Sequence, residues 1–192
     1  MEKKETAKEK ILRVASDLFY REGIRAVGID RIILESGVAK ASFYRSFATK
    51  DDLVVEYLDY RHNLSMSNLE RARLKYPESP NRQLRFLMED VVERMKKPDY
   101  RGCPFMNTAV EFPEADHPGH ARAVQARNEL FGGIAEIARA AGAKDPVELA
   151  EQIRILYSGA IMVAYMNKSD FKPEYFAIAA QTLLDKQLPS PA

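Results

Sequence analysis

The chain has 192 residues, 46% of them hydrophobic and 30% charged, with one cysteine and a formal net charge of +1. That size and balance describe one or two globular domains; no run of about 18 apolar residues predicts a membrane-spanning helix, and the lone Cys103 excludes an internal disulfide framework. The charged opening MEKKETAKEK lacks the apolar core of a signal peptide, so a reduced, cytoplasmic setting is expected.

Thr6 and Glu9 form a capping box, followed by Ile11, Val14, Ala15, Leu18 and Phe19 at helical spacing, with Gly23 as the stop. Ile29, Ile32 and Ile33 mark a second, short helix ending near Gly37, and GVAKASFYRSF carries a third. Thr49 reads as the cap of a long fourth helix with Asp51 and Asp52 in its first turn, where negative charge suits the helix dipole; Pro77 ends it. Further helices are expected over about 81–97, 106–112 and 119–141. Asp145-Pro-Val-Glu148 is a cap with Pro at the first helical position, opening an apolar helix to about Asn167. Pro173 starts the last helix, to about Leu188, and the tail LPSPA is expected to fray.

No stretch alternates with period two, so the fold class is all-α with about nine helices. Three short helices make a unit over 1–48; a larger helical domain fills 49–192. Residues 1–50 carry 11 Lys/Arg against 7 Asp/Glu and the remainder 18 against 21, a basic head on an acidic body that suits a phosphate-facing N-terminus.

Ser36-Gly37-Val38-Ala39 joins the second and third helices as a short glycine-containing turn, the helix-turn-helix pattern. Phe43 and Phe47 are expected to face inward with Leu18, Phe19, Ile32 and Ile33. The opposite face then shows Lys40, Ala41, Ser42, Tyr44, Arg45 and Ser46: small residues for close approach, hydroxyls and cations for phosphates and base edges. The run over 11–54, through Ala15, Leu18, Phe19, Gly23, Ile29, Ile32, Gly37, Val38, Tyr44, Phe47, Lys50 and Leu53, resembles the DNA-binding region of TetR-family (TetR/AcrR-like) bacterial transcriptional regulators. RGCPFMNTAVEFPEADHPGHARA also resembles a segment of some subgroups.

The resemblance implies that Lys40, Ala41 and Arg45 approach base edges, with Arg45 as the reader of guanine. It implies that Ser42, Tyr44, Ser46, Thr49 and Lys50 hold the phosphate backbone of double-stranded DNA; Gly28, at the start of the second helix, joins the DNA-facing set. This sequence departs from the family at Gly28 and Ala39, where Ser or Thr is common, and Ala is a poor cap.

Family resemblance also implies a homodimer paired through the last two helices and a small-molecule effector pocket. Tyr57, Tyr60, Arg61, Leu87, Val91, Phe105, Met106, Phe112, Phe131 and Tyr157 are the effector candidates, suited to an apolar or aromatic ligand, though each also reads as core. Gly132-Gly133 in mid-helix suggests a kink or close backbone approach, or else a surface pair. Cys103, at a helix entrance, is a candidate redox thiol or a small buried residue. His117 and His120 lack a metal-ligand spacing, so no metal and no cofactor are expected, and no phosphate loop or nucleophile elbow suggests an enzyme. The expected function is a repressor released from a two-fold symmetric operator by a small ligand. The alternative is a helical ligand-binding or interaction protein with a degenerate DNA-binding head.

Overall fold

The computed structural model describes residues 5–167 and 170–189. Among these, nine helices and no strand are found: α1 (Ala7–Glu22), α2 (Ile29–Ser36), α3 (Lys40–Ser46), α4 (Lys50–Lys75), α5 (Pro80–Met95), α6 (Pro104–Glu111), α7 (Pro118–Ala140), α8 (Pro146–Asn167) and α9 (Pro173–Gln187). The all-α architecture expected from the periodicity is therefore present. Of the tail, residues 190–192 lie outside the described residues, while Leu188 is buried and its N–H closes on the Leu184 carbonyl.

The helix ends follow local chemistry. The Thr6 hydroxyl accepts from the Glu9 amide at 3.2 Å, and the Glu9 carboxylate accepts from the Thr6 amide at 2.7 Å. Thr49 and Asp52 repeat the reciprocal arrangement at the head of α4, at 2.9 and 3.1 Å. Asp145 Oδ1 accepts from the Val147 and Glu148 amides, so Pro146, which has no N–H to satisfy, opens α8. Gly37 stops α2 in the left-handed conformation, φ 65°, its N–H on the Ile33 carbonyl at 3.1 Å. Ala39 starts α3 with no side-chain cap bond, as its methyl group requires.

The chain packs as two compact units, Met1–Arg61 with Cys103–Ala126, and His62–Gly102 with Arg127–Ala192. In the first, α1 packs on α2 and α3. Leu18, Phe19, Ile32, Phe43, Phe47 and Leu53 are buried there, while Ile33 is only half-buried. Phe43 and Phe47 sit 6.1 Å apart, and Phe19 meets Tyr57 edge-on at 5.5 Å. Each such ring contributes about 1.5–3 kcal/mol by leaving water. In the second unit, α9 packs on α5 and α8, burying Leu149, Ile153, Ile161, Phe176, Ala180 and Leu184.

Candidate nucleic-acid interface and ligand-facing residues

Helix α3 is too short to stand alone; it is held because Phe43, fully buried, and Phe47 fix one edge in the first unit's core. The other edge is left to solvent. Lys40, Ala41, Tyr44 and Arg45 are exposed, Ser42 and Ser46 half-buried. Arg45 Nη2 donates to Ser42 Oγ at 3.1 Å, and Ser46 Oγ donates back to the Ser42 carbonyl at 2.9 Å. Lys40 Nζ lies 3.5 Å from Asp30 Oδ1 of α2. Arg45 is thus aligned along the helix by one weak bond and is not locked into an ion pair among the described residues. Gly28, exposed, is the N-cap of α2 with open space around its Cα.

Thr49 and Lys50 of the predicted set are also engaged within the unit. The Thr49 hydroxyl serves the α4 cap. Lys50 Nζ donates to the Ile24 carbonyl at 2.6 Å and lies 6.0 Å from the Phe19 ring. Desolvation pushes the Lys50 ammonium below its usual pKa, with Glu111 and Asp51 opposing the shift. Its ammonium is thus turned to the α1–α2 loop.

The effector candidates fall in both units. In the first, Tyr57 and Phe105 are buried, Arg61, Met106 and Phe112 half-buried, and Tyr60 exposed. Arg61 lies over the Tyr20 ring at 4.6 Å and the Tyr57 ring at 5.5 Å, and Nη2 donates to the Ser16 carbonyl at 3.2 Å. Burial pushes the Tyr57 phenol well up, with the Arg61 charge pulling the other way. Phe112 stacks on His117 at 4.1 Å, and His120 Nδ1 bonds to the Phe112 carbonyl at 2.7 Å, so both histidines serve packing of this segment. Cys103 is 2% exposed at the N-cap of α6. In the second unit, Leu87, Val91 and Phe131 are buried and Tyr157 is half-buried.

The sequence itself decides the family. Residues 11–57 match the family of bacterial regulatory proteins, tetR family, and residues 80–180 match the tetracyclin repressor-like C-terminal domain. The chain belongs to the TetR family. It is 30% identical to a TetR-family transcriptional regulator from Streptomyces coelicolor, with 94% of this chain and 95% of that one superposed at a TM-score of 0.87. An HTH-type transcriptional regulator of Bacillus subtilis is 25% identical over 173 residues, 84% of this chain and 86% of its own length. Another from Lactococcus lactis is 28% identical over 130 residues, and the match spans 66% of its length and 67% of this chain. Helix α3 is therefore the second helix of a TetR-family DNA-binding helix-turn-helix, and the protein is a transcriptional regulator.

Two residues of this TetR-family chain carry contacts that the sequence pattern did not flag. Glu111, at the end of α6, accepts from the Ile24 and Arg25 amides at 3.0 and 2.7 Å. Arg127, in α7, is only 6% exposed. Its guanidinium lies over Phe131 at 4.5 Å and Tyr157 at 5.0 Å, and among the described residues no carboxylate pairs with it. Desolvating an ion costs several kcal/mol, while a desolvated cation–π contact returns about 2 kcal/mol. The rings offset part of that cost. An Arg placed four residues before an aromatic residue is too common on surface helices for either position to stand out in sequence.

Proposed function

We propose that the protein is a homodimeric repressor, acting in the cytoplasm, that binds a two-fold symmetric DNA operator through α3 and is released by a small-molecule effector. The observation that carries this reading is the division of α3, with Phe43 and Phe47 buried in the first unit and Lys40, Ala41, Tyr44 and Arg45 presented to solvent. In this reading residues 1–48 bind DNA, Arg45 reads guanine, and Lys40 and Ala41 approach base edges. Ser42, Tyr44, Ser46, Thr49, Lys50 and Gly28 line the phosphates. Residues 49–192 bind the effector and dimerise; the candidate ligand-binding residues are Tyr57, Tyr60, Arg61, Phe105, Met106 and Phe112 in the first unit and Leu87, Val91, Phe131 and Tyr157 in the second.

Dimerisation is supported by the face of the second unit. Ile155, Val163, Tyr165 and Met166 of α8 and Tyr175 and Ile178 of α9 are exposed. An open groove of about 550 Å³ runs between α8 and α9, lined by Ile155, Val163, Tyr175 and Phe176 among others. Apolar exposure of this extent marks an interaction surface, and a dimer paired through it carries two recognition helices, as a two-fold symmetric operator with half-sites about 34 Å apart requires. Among the described residues no helix is long and apolar enough to cross a membrane. Buried Cys103 remains a redox candidate only where the structure opens to expose its thiol.

The test is titration of labelled DNA from upstream of the protein's own coding sequence, at several salt concentrations. Specific binding that weakens steeply with salt is expected. Arg45→Ala is expected to lose roughly 10- to 100-fold in discrimination against an altered half-site, about 1–3 kcal/mol. Unchanged sequence preference in that variant removes Arg45 from the readout; equal binding to all sequences favours a degenerate head on a ligand-binding body.

A further inference from the structure

Among the described residues Arg127 is a buried cation of the second unit with no carboxylate in salt-bridge distance. It is buried to 6% exposure, it sits on α7 four residues before Phe131, and Tyr157 of α8 covers another side of its guanidinium. The acidic neighbour two residues along, Glu129, is drawn to His62, whose Nε2 lies 3.1 Å from its carboxylate. Arg154 reaches the Phe131 ring at 5.6 Å, adding a second positive charge to that ring, and its own partners are Asn128 and Glu151. Tyr157 is backed edge-on by Phe176 of α9 at 6.5 Å. The result is a largely buried arginine whose guanidinium is framed by aromatic rings, with Glu129 turned to His62 and Glu151 to Arg154.

Arginine keeps its charge inside proteins. A buried charge is retained when something pairs with it, and where the chain supplies no acid, a bound anion supplies the missing one. The guanidinium fork matches the two oxygens of a carboxylate, and the flanking rings suit an apolar or aromatic body attached to it. We propose that Arg127 is the anion-recognising residue of a site for small organic carboxylates, with Phe131 and Tyr157 holding the apolar part. This rests on the reading of the protein as an effector-controlled regulator, and it changes the expected effector from simply apolar to an apolar acid.

The experiment uses the full-length protein and its Arg127→Met and Arg127→Lys variants, with benzoate as probe, benzamide as its neutral counterpart, and acetate and inorganic phosphate as anions without an aromatic body. Thermal unfolding is followed at constant ionic strength. Benzoate is expected to raise the wild-type Tm by several degrees, since a ligand bound only by the folded state stabilises it, and benzamide to raise it less. The Arg127→Met variant is expected to lose the benzoate response and, without ligand, to unfold at or above the wild-type Tm, because the unpaired charge is gone. Arg127→Lys is expected to keep a reduced response, and decides the matter should the methionine variant not fold. A wild type indifferent to benzoate, acetate and phosphate alike, or an Arg127→Met response equal to wild type, overturns the proposal. A response to phosphate and acetate equal to that for benzoate overturns the aromatic-acid specificity and leaves a general anion site. Operator binding measured with and without benzoate separates the two readings: an anion response through Arg127 that leaves DNA affinity unchanged sustains the site and refutes its role as the effector switch.

Discussion

The carboxylate of Glu111, the last residue of α6, accepts hydrogen bonds from two successive backbone amides, Ile24 at 3.0 Å and Arg25 at 2.7 Å. Lys50 Nζ holds the Ile24 carbonyl from the other side at 2.6 Å. The loop between α1 and α2 is thereby fixed by an acid 87 residues distant in sequence. Glu111→Ala leaves the partly buried Ile24 amide without its acceptor and is expected to destabilise the protein by about 1–3 kcal/mol, with Glu111→Gln losing less because one amide oxygen remains. Urea unfolding reads the loss. Operator affinity should also fall, because the loop leads into α2; full retention of both stability and affinity would show that the loop holds itself.

Ala39 is the N-cap of α3 and makes no side-chain cap bond. Ala39→Ser places a hydroxyl where the amides at the start of α3 can donate, and is expected to stabilise the fold by about 1 kcal/mol. Amide hydrogen exchange within 40–46 should slow in the variant. No gain in either measurement would mean that α3 is held wholly by Phe43 and Phe47.

The glycine pair of α7 should respond with opposite signs. A Cβ on Gly132 meets nothing within 4 Å, whereas one on Gly133 would lie 2.6 Å from Leu69 Cδ1. Gly132→Ala is expected to stabilise by up to about 1 kcal/mol through helix propensity. Gly133→Ala crowds a leucine that is itself 2% exposed and is expected to cost about 1–3 kcal/mol. Denaturation midpoints of the two variants, measured side by side, decide it; a shared sign would refute the close approach.

Acid sensitivity is expected from Glu22, where the hydrogen bonds from Arg31 hold its carboxyl below the ordinary value of 4.5. A group whose folded pKa is depressed contributes stability above its unfolded pKa and loses it as pH falls through the folded value. The urea midpoint should therefore decline below about pH 4.5, and Glu22→Gln should flatten that limb slightly, since the pair is exposed and screened. Identical acid limbs in both proteins would assign the decline to other carboxylates.

Much of this molecule was legible in the sequence because its signals are local. The capping residues Thr6, Thr49 and Asp145, the stops at Gly23 and Gly37, and the prolines opening α8 and α9 each act within a few residues of themselves. The inward edge of α3 followed from the spacing of Phe43 and Phe47. The Gly132-Gly133 pair admitted two readings in sequence, close approach or open surface, and packing assigns one to each residue.

Long-range partners were not legible. Lys50 stood as a phosphate ligand in the pattern, and only folding brings its ammonium onto the Ile24 carbonyl. Glu111 was one acid among several beside two histidines until α6 delivered it to the α1–α2 loop. Arg127 was an ordinary cation on an amphipathic helix until Phe131 and Tyr157 closed over it without an acid among them. By itself the sequence determined the helices, their ends and the TetR-family head, since hydrogen bonding along a helix and apolar periodicity are properties of neighbouring residues. The tertiary structure alone decided which charges are paired, because burial and the identity of a counter-ion depend on residues that chain order keeps far apart.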